Sequence, residues 1–337
     1  MTFYCGIDLH SNNSVVSIIN NQDKVVKERR LDNQLDIIDE FIAPYQEELQ
    51  GIVIESTYNW YWLVDGLMER GYPVHLANTL AIQQYNGIKH TNDETDARFL
   101  AHLLRLNILP TGFIYPKNMR YVRDLLRRRL LLVKQSTAML LSVQGAITRH
   151  SGLRLTGAKI KQLTQPDLAN YFTNSSALFA AQQTFRSWQH LQSQIEEVET
   201  FVLSHCDKDA FKILTSVPGI GKILGLTISL ETGPIERFAQ VGNYSSYARC
   251  VPSLKISNGK SKGQGNVKNG NRYLSMAFVE SAHYAAIWEP TIKKYYRKKC
   301  KHAPVMVAKK AVANKLTRAC YHMLKEKTLF DVTRAFG

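Results

Sequence analysis

FYCGIDLHSNNSVVSIINNQDKVVKERRL, residues 3–31, decides the fold. It holds three short β-rich runs, 3–9, 14–20 and 24–31, separated by HSNN and NQD, whose Asn and Asp residues favour turns. Runs this short and this closely spaced predict an antiparallel meander. Downstream, LDIIDEFIAPY has helical spacing, GIVIES reads as a buried strand, WYWLVDGLMERG is helical again, and YPVHLAN is another short strand.

That order, three strands, helix, strand, helix, strand, predicts an α/β domain of the RNase H-like (RuvC-like) kind over residues 1–112. Two carboxylates stand out in it. Asp8 lies in the apolar run CGIDLH and Glu55 ends GIVIES, positions where an ionised acid is costly unless paired or metal-bound. Farther on, TNDETDARFLAHLL reads as a helix capped by Asn92, with Asp93 and Asp96 three residues apart on one face. Acids in a first helical turn also complement the helix dipole, which explains that pair equally well in isolation. A first meander strand, a later strand end and a helix start that all supply acids suit a two-metal site for phosphoryl transfer, with Mg²⁺ as its natural cation. GIDLHSNNS is also similar to the first phosphate loop of actin-like ATPases and sugar kinases. The glycine expected after that Asp is missing, and no glycine-rich phosphate motif follows in residues 51–207.

The 337 residues carry 43 Lys and Arg against 28 Asp and Glu, a net charge of +15. The charge is segregated: −8 over residues 1–100, +8 over 101–150, +1 over 151–250 and +14 over 251–337. A basic balance of this size points to a polyanionic partner such as nucleic acid. With 45% apolar and 21% charged residues the chain is an ordinary globular one, neither disordered nor fibrous. Five scattered cysteines without a C-x-x-C pair support neither a disulfide framework nor a zinc ribbon, and fit a reducing compartment. The N-terminus lacks a basic stretch followed by an apolar run, and no window of about 18 uncharged apolar residues is evident. A cytoplasmic protein without a membrane anchor is therefore expected.

Helical patterns at 118–150 and 176–205 predict a long hairpin or coiled coil within a segment 113–207. Its Arg123, Arg127 and Arg128 suit nucleic-acid contact or, equally, the solvated face of a helical linker. Residues 208–337 form a third, mainly helical domain. It opens with VPGIG between two helical stretches, a helix-hairpin-helix-like turn in which Gly219, Gly221 and Lys222 would offer backbone amides and charge to phosphates. The segment VPSLKISNGKSKGQGNVKNGNRYL then sets Ser257 among Lys255, Lys260, Lys262, Lys268 and Arg272, with Gly259 and Asn271 beside them, in what reads as a glycine-rich, phosphate-binding loop. By composition alone Ser257 is an ordinary serine near phosphate-binding lysines, and spacing does not nominate it as a nucleophile. The tract IKKYYRKKCKH adds Lys298 and Lys299 next to tyrosines.

Taken in order, GIDLH, IVIEST, NDETDARFLAHLL, VPGIG and SNGKSKGQGNVKNGNRYL resemble the DEDD-type insertion-sequence transposases related to the Piv DNA invertases. The resemblance spans essentially the whole chain. It implies a RuvC-like metal tetrad of Asp8, Glu55, Asp93 and Asp96, and a nucleophilic Ser257. Two positions depart from the pattern: Asn258 stands where a glycine often follows the serine, and Ser275 where an arginine follows the closing Tyr-Leu. The resemblance further implies Mg²⁺-assisted strand exchange between donor and target DNA through a phosphoserine intermediate, guided by a noncoding bridge RNA. Strand exchange needs at least two cleaved strands held together, so a homo-oligomer is expected, a dimer of dimers, and the resemblance implies sites in which one subunit's acidic domain works with another's serine domain. A RuvC-like endonuclease using water with the same four acids, or a noncatalytic nucleic-acid-binding protein, are the alternatives from other classes.

Overall fold

β1 (Phe3–Leu9), β2 (Asn13–Asn20) and β3 (Val25–Asp32) form the antiparallel meander that the turn residues predict. The chain continues through α1 (Leu35–Ile42), a 3-10 stretch at Ala43–Glu48, β4 (Leu49–Glu55), α2 (Tyr61–Glu69), β5 (Val74–Ala77), α3 (Asp93–Arg105) and β6 (Thr111–Gly112). β4 runs parallel to β1, β5 parallel to β4, and β6 antiparallel to β5, giving one mixed sheet in the order β3-β2-β1-β4-β5-β6. The computed structural model describes residues 1–82, 92–265 and 268–337, and divides into two units, Met1–Lys117 and Asn118–Gly337.

Strand alternation sorts the first unit's sheet into two faces. Cys5, Ile7 and Leu9 of β1 join Ile52 and Ile54 of β4 in a core closed by Ile38 and Ile42 of α1 and Leu63 and Leu67 of α2. On the other face Val53 and Ala77 pack with Leu100 of α3. Gly6 makes that packing intimate, since a Cβ there would stand 2.0 Å from the Ala97 carbonyl oxygen and 2.8 Å from the Ala101 nitrogen. Only a residue without a side chain lets α3 lie this close to β1, and that approach brings the acids of α3 beside Asp8.

Among the described residues, the second unit is helical apart from one hairpin. α4 (Lys117–Ser151) and α6 (Ser175–Ser204), joined through α5 (Gly157–Lys161), form the expected antiparallel pair. Their contacts run in opposite order along the two helices: Arg129 with Glu199, Ser136 with Gln192, and Val143 and Ile147 with Phe185 and Ala181. The remainder comprises α7 (Lys208–Thr215), α8 (Lys222–Thr232), α9 (Val241–Tyr247), β7 (Leu254–Ser257), β8 (Lys260–Gln264), α10 (Arg272–Trp288), α11 (Pro290–Cys300), α12 (Val305–Glu326) and α13 (Val332–Phe336). Tyr244, Leu274, Phe278, Val312, Leu316 and Cys320 are at its centre.

Two expectations change. The helical segment and the serine-bearing segment are one unit, with no boundary near 207, because Leu126 of α4, Val202 of α6 and Leu226 and Leu230 of α8 share an apolar cluster. Residues 254–264, read as part of a loop, form a β-hairpin; residues 266–267 of that stretch lie outside the described residues. α4 also contains an 18-residue window apolar enough in length and composition to cross a membrane, although its longest uncharged stretch, 135–148, falls short of an uncharged window of about 18 residues. Part of its apolar stripe, including Val143 and Ile147, is buried against α6.

Candidate active site

The sheet register builds the acidic cluster. Asp8 pairs with Val15, and Val15 with Arg30, so Asp8 and Arg30 share a face two strands apart. Ile7 pairs with Ile54, so Asp8 and Glu55 emerge side by side at the ends of parallel strands. α3 completes the group. Its cap is reciprocal: Asn92 Oδ1 accepts from the Thr95 backbone at 2.9 Å and Thr95 Oγ1 accepts from the Asn92 backbone at 2.8 Å. This fixed first turn projects Asp93 and Asp96 toward the strands, so the structure brings together the four acids that the sequence singles out.

Their protonation follows from crowding. Burial raises the pKa of Asp8, which is 4% exposed. Glu55 is pushed up to about 7, first by burial and then by its hydrogen bond with Asp8 and the charges of Asp8 and Asp96. Asp8 and Glu55 thus hold a proton between them, and the titration belongs to the pair. Asp96 is raised by burial and by the charges of Asp8 and Asp93. Asp93 is lowered instead, mainly because Arg30 Nη2 donates to its Oδ2 at 2.5 Å.

His10 and Arg30 are the participants that the sequence reading missed. His10 Nε2 lies 3.2 Å from Asp93 Oδ2 and 3.4 Å from Asp8 Oδ2, a buried nitrogen facing two carboxylates. Asn33 and Asn59 donate to the His10 carbonyl at 3.0 and 2.9 Å, which fixes the turn that carries it. Asp8, His10 and Asp93 each offer a ligand atom, all within 4.8 Å of one another. The i, i+2 spacing of Asp8 and His10 was the available signal, since extended backbone returns to one face every second residue. This donor set, rich in carboxylate oxygen and forced to retain a proton, fits a divalent cation whose charge would replace that proton.

Ser257 occupies a different kind of site. It is the last residue of β7 and pairs with Lys260, the first of β8. Asn258 and Gly259 between them have φ of 52° and 69°, as a two-residue type I′ turn requires. Asn258 therefore satisfies the backbone demand that a glycine would meet at this position. Alternation places Lys255 and Ser257 on one face of the ribbon, with Lys260 directly across from the serine and Lys262 two residues on. All four side chains are exposed.

Other residues expected at a nucleic-acid surface separate into two groups. Arg128, Arg272, Lys298 and Lys299 are exposed. Gly221 caps α8 in open space, whereas Gly219 is buried, its would-be Cβ 2.5 Å from the Ala285 nitrogen of α10. Arg123 is 9% exposed and lies beside Asp124, so its charge is spent internally. Arg127 forms a two-pronged pair with Glu231, Nε to Oε1 and Nη2 to Oε2, both at 2.7 Å. Lys222 reaches Glu199 at 3.2 Å. Asn271 caps α10 and donates to Glu231 at 2.7 Å. The Lys268 carbonyl accepts from Arg249.

Comparison with known proteins places both halves. Residues 5–151 match the transposase family of the IS110 DEDD type, and residues 211–297 match the transposase IS116/IS110/IS902 family. A Streptomyces coelicolor protein named for the mini-circle transposase of IS117 is 31% identical over 144 residues, 42% of this chain and 33% of its own length. The insertion element IS110 uncharacterized 43.6 kDa protein of the same organism is 26% identical over 120 residues, 35% of this chain and 30% of its own. The chain thus spans about a third of the length of the curated relatives it matches. The first match contains all four acids and the second contains Ser257. With both matches in the order that the motifs require, this chain belongs to the IS110 family of DEDD transposases.

Proposed function

We propose that the protein is a transposase that cuts, exchanges and rejoins DNA strands of an insertion sequence through a phosphoserine intermediate, guided by a noncoding bridge RNA. The observation that carries this reading is the convergence of Asp8, Glu55, Asp93 and Asp96, from two strands of the six-stranded mixed sheet and the helix packed on it, in a member of this family. These acids, with His10 beside them, would hold divalent metal, Mg²⁺ first among candidates for its preference for oxygen ligands. Metal bound there would supply charge stabilisation to an in-line phosphoryl transfer.

The chain's own residues do the rest. Lys255, Lys260 and Lys262 hold the scissile phosphate's non-bridging oxygens at the tip of the hairpin. Ser257 Oγ forms a bond to phosphorus as the bond to the DNA hydroxyl oxygen breaks; that hydroxyl leaves carrying a proton, and the serine's proton is lost to solvent or base. The phosphoserine ester conserves the bond energy, so a hydroxyl from the exchanged strand reverses the step and no nucleotide triphosphate is consumed. Rejoining requires several strands to be held at once, which supports an oligomer, a dimer of dimers, assembled on donor DNA, target DNA and guide RNA. Base pairing by the guide would supply target choice, and the exposed lysines would supply affinity without sequence.

The test is an SDS-resistant protein-DNA adduct, formed by purified protein with Mg²⁺, labelled donor and target DNA and RNA transcribed from the flanking noncoding DNA. The adduct should need the RNA and should vanish in Ser257→Ala and in Asp8→Asn. Cleavage to free ends without an adduct would instead establish a hydrolytic RuvC-like nuclease.

A further inference from the structure

Glu231 is a carboxylate 2% exposed near the C-terminal end of α8, in the apolar run LGLTISLET. Burying a charge there is expensive unless its hydrogen-bonding capacity is met. Arg127, near the N-terminal end of the 35-residue α4, meets it with two parallel hydrogen bonds at 2.7 Å. Asn271 meets it with a third, Nδ2 to Oε2 at 2.7 Å. The same Asn271 begins α10: its Oδ1 accepts from the Tyr273 and Leu274 backbones at 2.8 and 3.1 Å, and its own N–H donates to the Tyr247 carbonyl at 2.6 Å. Arg127 also stacks over the Tyr273 ring at 4.6 Å, so one guanidinium touches both Glu231 and the first turn of α10.

Asn271 is also where the serine hairpin returns to the helical core. Six residues separate it from Gln264, the end of β8. Arg249, on the chain entering the hairpin, donates to the carbonyls of Asn269 and Gly270 at 3.0 and 2.7 Å. The two ends of the hairpin are therefore tied together by Arg249, and the returning end is tied to α4 through Asn271, Glu231 and Arg127. Surface charge does not account for this arrangement, because its central acid is almost wholly buried.

We infer that Glu231, Arg127 and Asn271 are positioning residues that lock the root of the Ser257 hairpin to the long helix α4, so that the placement of α4 sets where the serine can reach. The inference rests on the reading of Ser257 as nucleophile for its effect on chemistry, and stands apart from that reading for its effect on structure. A buried ion pair is a poor source of net stability and a good source of fixed geometry, which separates the two roles experimentally.

Two full-length variants do so. Asn271→Ser keeps a good helix cap and the Arg127–Glu231 pair but drops the bond to Glu231. Arg127→Met combined with Glu231→Gln removes both charges together and keeps a carboxamide oxygen to accept from Asn271. Each is examined by thermal melting, by nucleic-acid affinity in fluorescence anisotropy, by the rate of adduct formation at saturating DNA and RNA, and by amide exchange over residues 268–274. The expected result is melting close to wild type, affinity within about twofold, adduct formation slower by about tenfold to a hundredfold, as a displaced nucleophile would give, and faster exchange at residues 268–274. Wild-type adduct rates in both variants, or unchanged exchange at residues 268–274, would overturn the lock. If the wild-type protein forms no Ser257-dependent adduct, the nucleophile reading fails, and the exchange measurement still decides whether the lock exists.

Discussion

Raising the pH from 6 to 8 should tighten divalent-cation binding to the acidic cluster about tenfold. Burial, and then the hydrogen bond and charge of Asp8, push Glu55 up to about 7, a titration that belongs to the pair. A cation entering the cluster must displace the shared proton. At pH 6 about one molecule in eleven has lost the proton that the pair shares, and at pH 8 about ten in eleven, so the binding-competent fraction rises about tenfold. Titration calorimetry with Mn²⁺ or Mg²⁺ in two buffers of different ionisation heat reads both affinity and proton release. Close to one proton should leave per site at pH 6, and few at pH 8. In Glu55→Gln, binding should be weaker and its dependence on pH between 6 and 8 much flatter. A flat wild-type profile, or the same slope in Glu55→Gln, would refute the shared proton as the cause.

The sign for stability is the reverse. The folded pKa of Glu55 lies above its ordinary 4.5, so its contribution is fully present below about pH 4.5 and is lost as pH rises through about 7. Metal-free protein should melt at a lower temperature at pH 8 than at pH 5.5 on account of this group, and Mg²⁺ should restore more at pH 8. Chelation by EDTA should remove that restored increment and leave the pH 5.5 melt nearly unchanged.

Three further outcomes follow from particular contacts. Gly6→Ala drives a methyl into the Ala97 carbonyl and should cost about 1–3 kcal/mol or more while displacing α3; chemical denaturation reads the first, and loss of Mn²⁺ affinity the second. Gly259→Val forces a β-branched residue into φ of 69° and should abolish the cross-strand NMR contacts of the hairpin, whereas Asn258→Gly should keep them. In salt titrations of DNA binding, Lys260→Gln should reduce the slope of log K against log salt by about 0.9 if it grips one duplex phosphate. Arg127→Met should leave that slope unchanged, because its partner is Glu231.

The meander and the acids were legible because both depend on local signals. Asn and Asp between β-rich runs mark turns, and an isolated acid in CGIDLH or GIVIES has no local explanation other than a site. The cap at Asn92 could likewise be read from its own neighbours, and the structure supplies the hydrogen bonds. His10 was half legible, two residues from Asp8. Arg30 was not: its closeness to Asp93 follows from strand register and from the depth to which Gly6 admits α3, neither of which is written within a short window. Arg127 and Asn271 misled for the same reason. An arginine in RRR and an asparagine in NGNR look like phosphate ligands until their partner is known, and that partner, Glu231, is 104 positions from the first and 40 from the second.

Charge segregation and the raised pKa of Glu55 belong to one physical arrangement. Four carboxylates at one end of a sheet, in the first hundred residues that already sum to −8, would repel a phosphate backbone. Without metal the cluster limits its own charge: Asp8 and Glu55 hold a proton, and Arg30 neutralises Asp93. The cost of assembling the site is thereby kept small in the free protein, and the repulsion of phosphate is relieved only when cations replace the proton. The serine hairpin needs no such device, because Lys255, Lys260 and Lys262 lie exposed on one face of its ribbon and no acid is crowded among them. Phosphate should therefore bind the hairpin with or without metal, and the acidic centre only with metal. DNA affinity would then be nearly independent of Mg²⁺, while adduct formation would depend on Mg²⁺ and on the ionisation of Glu55.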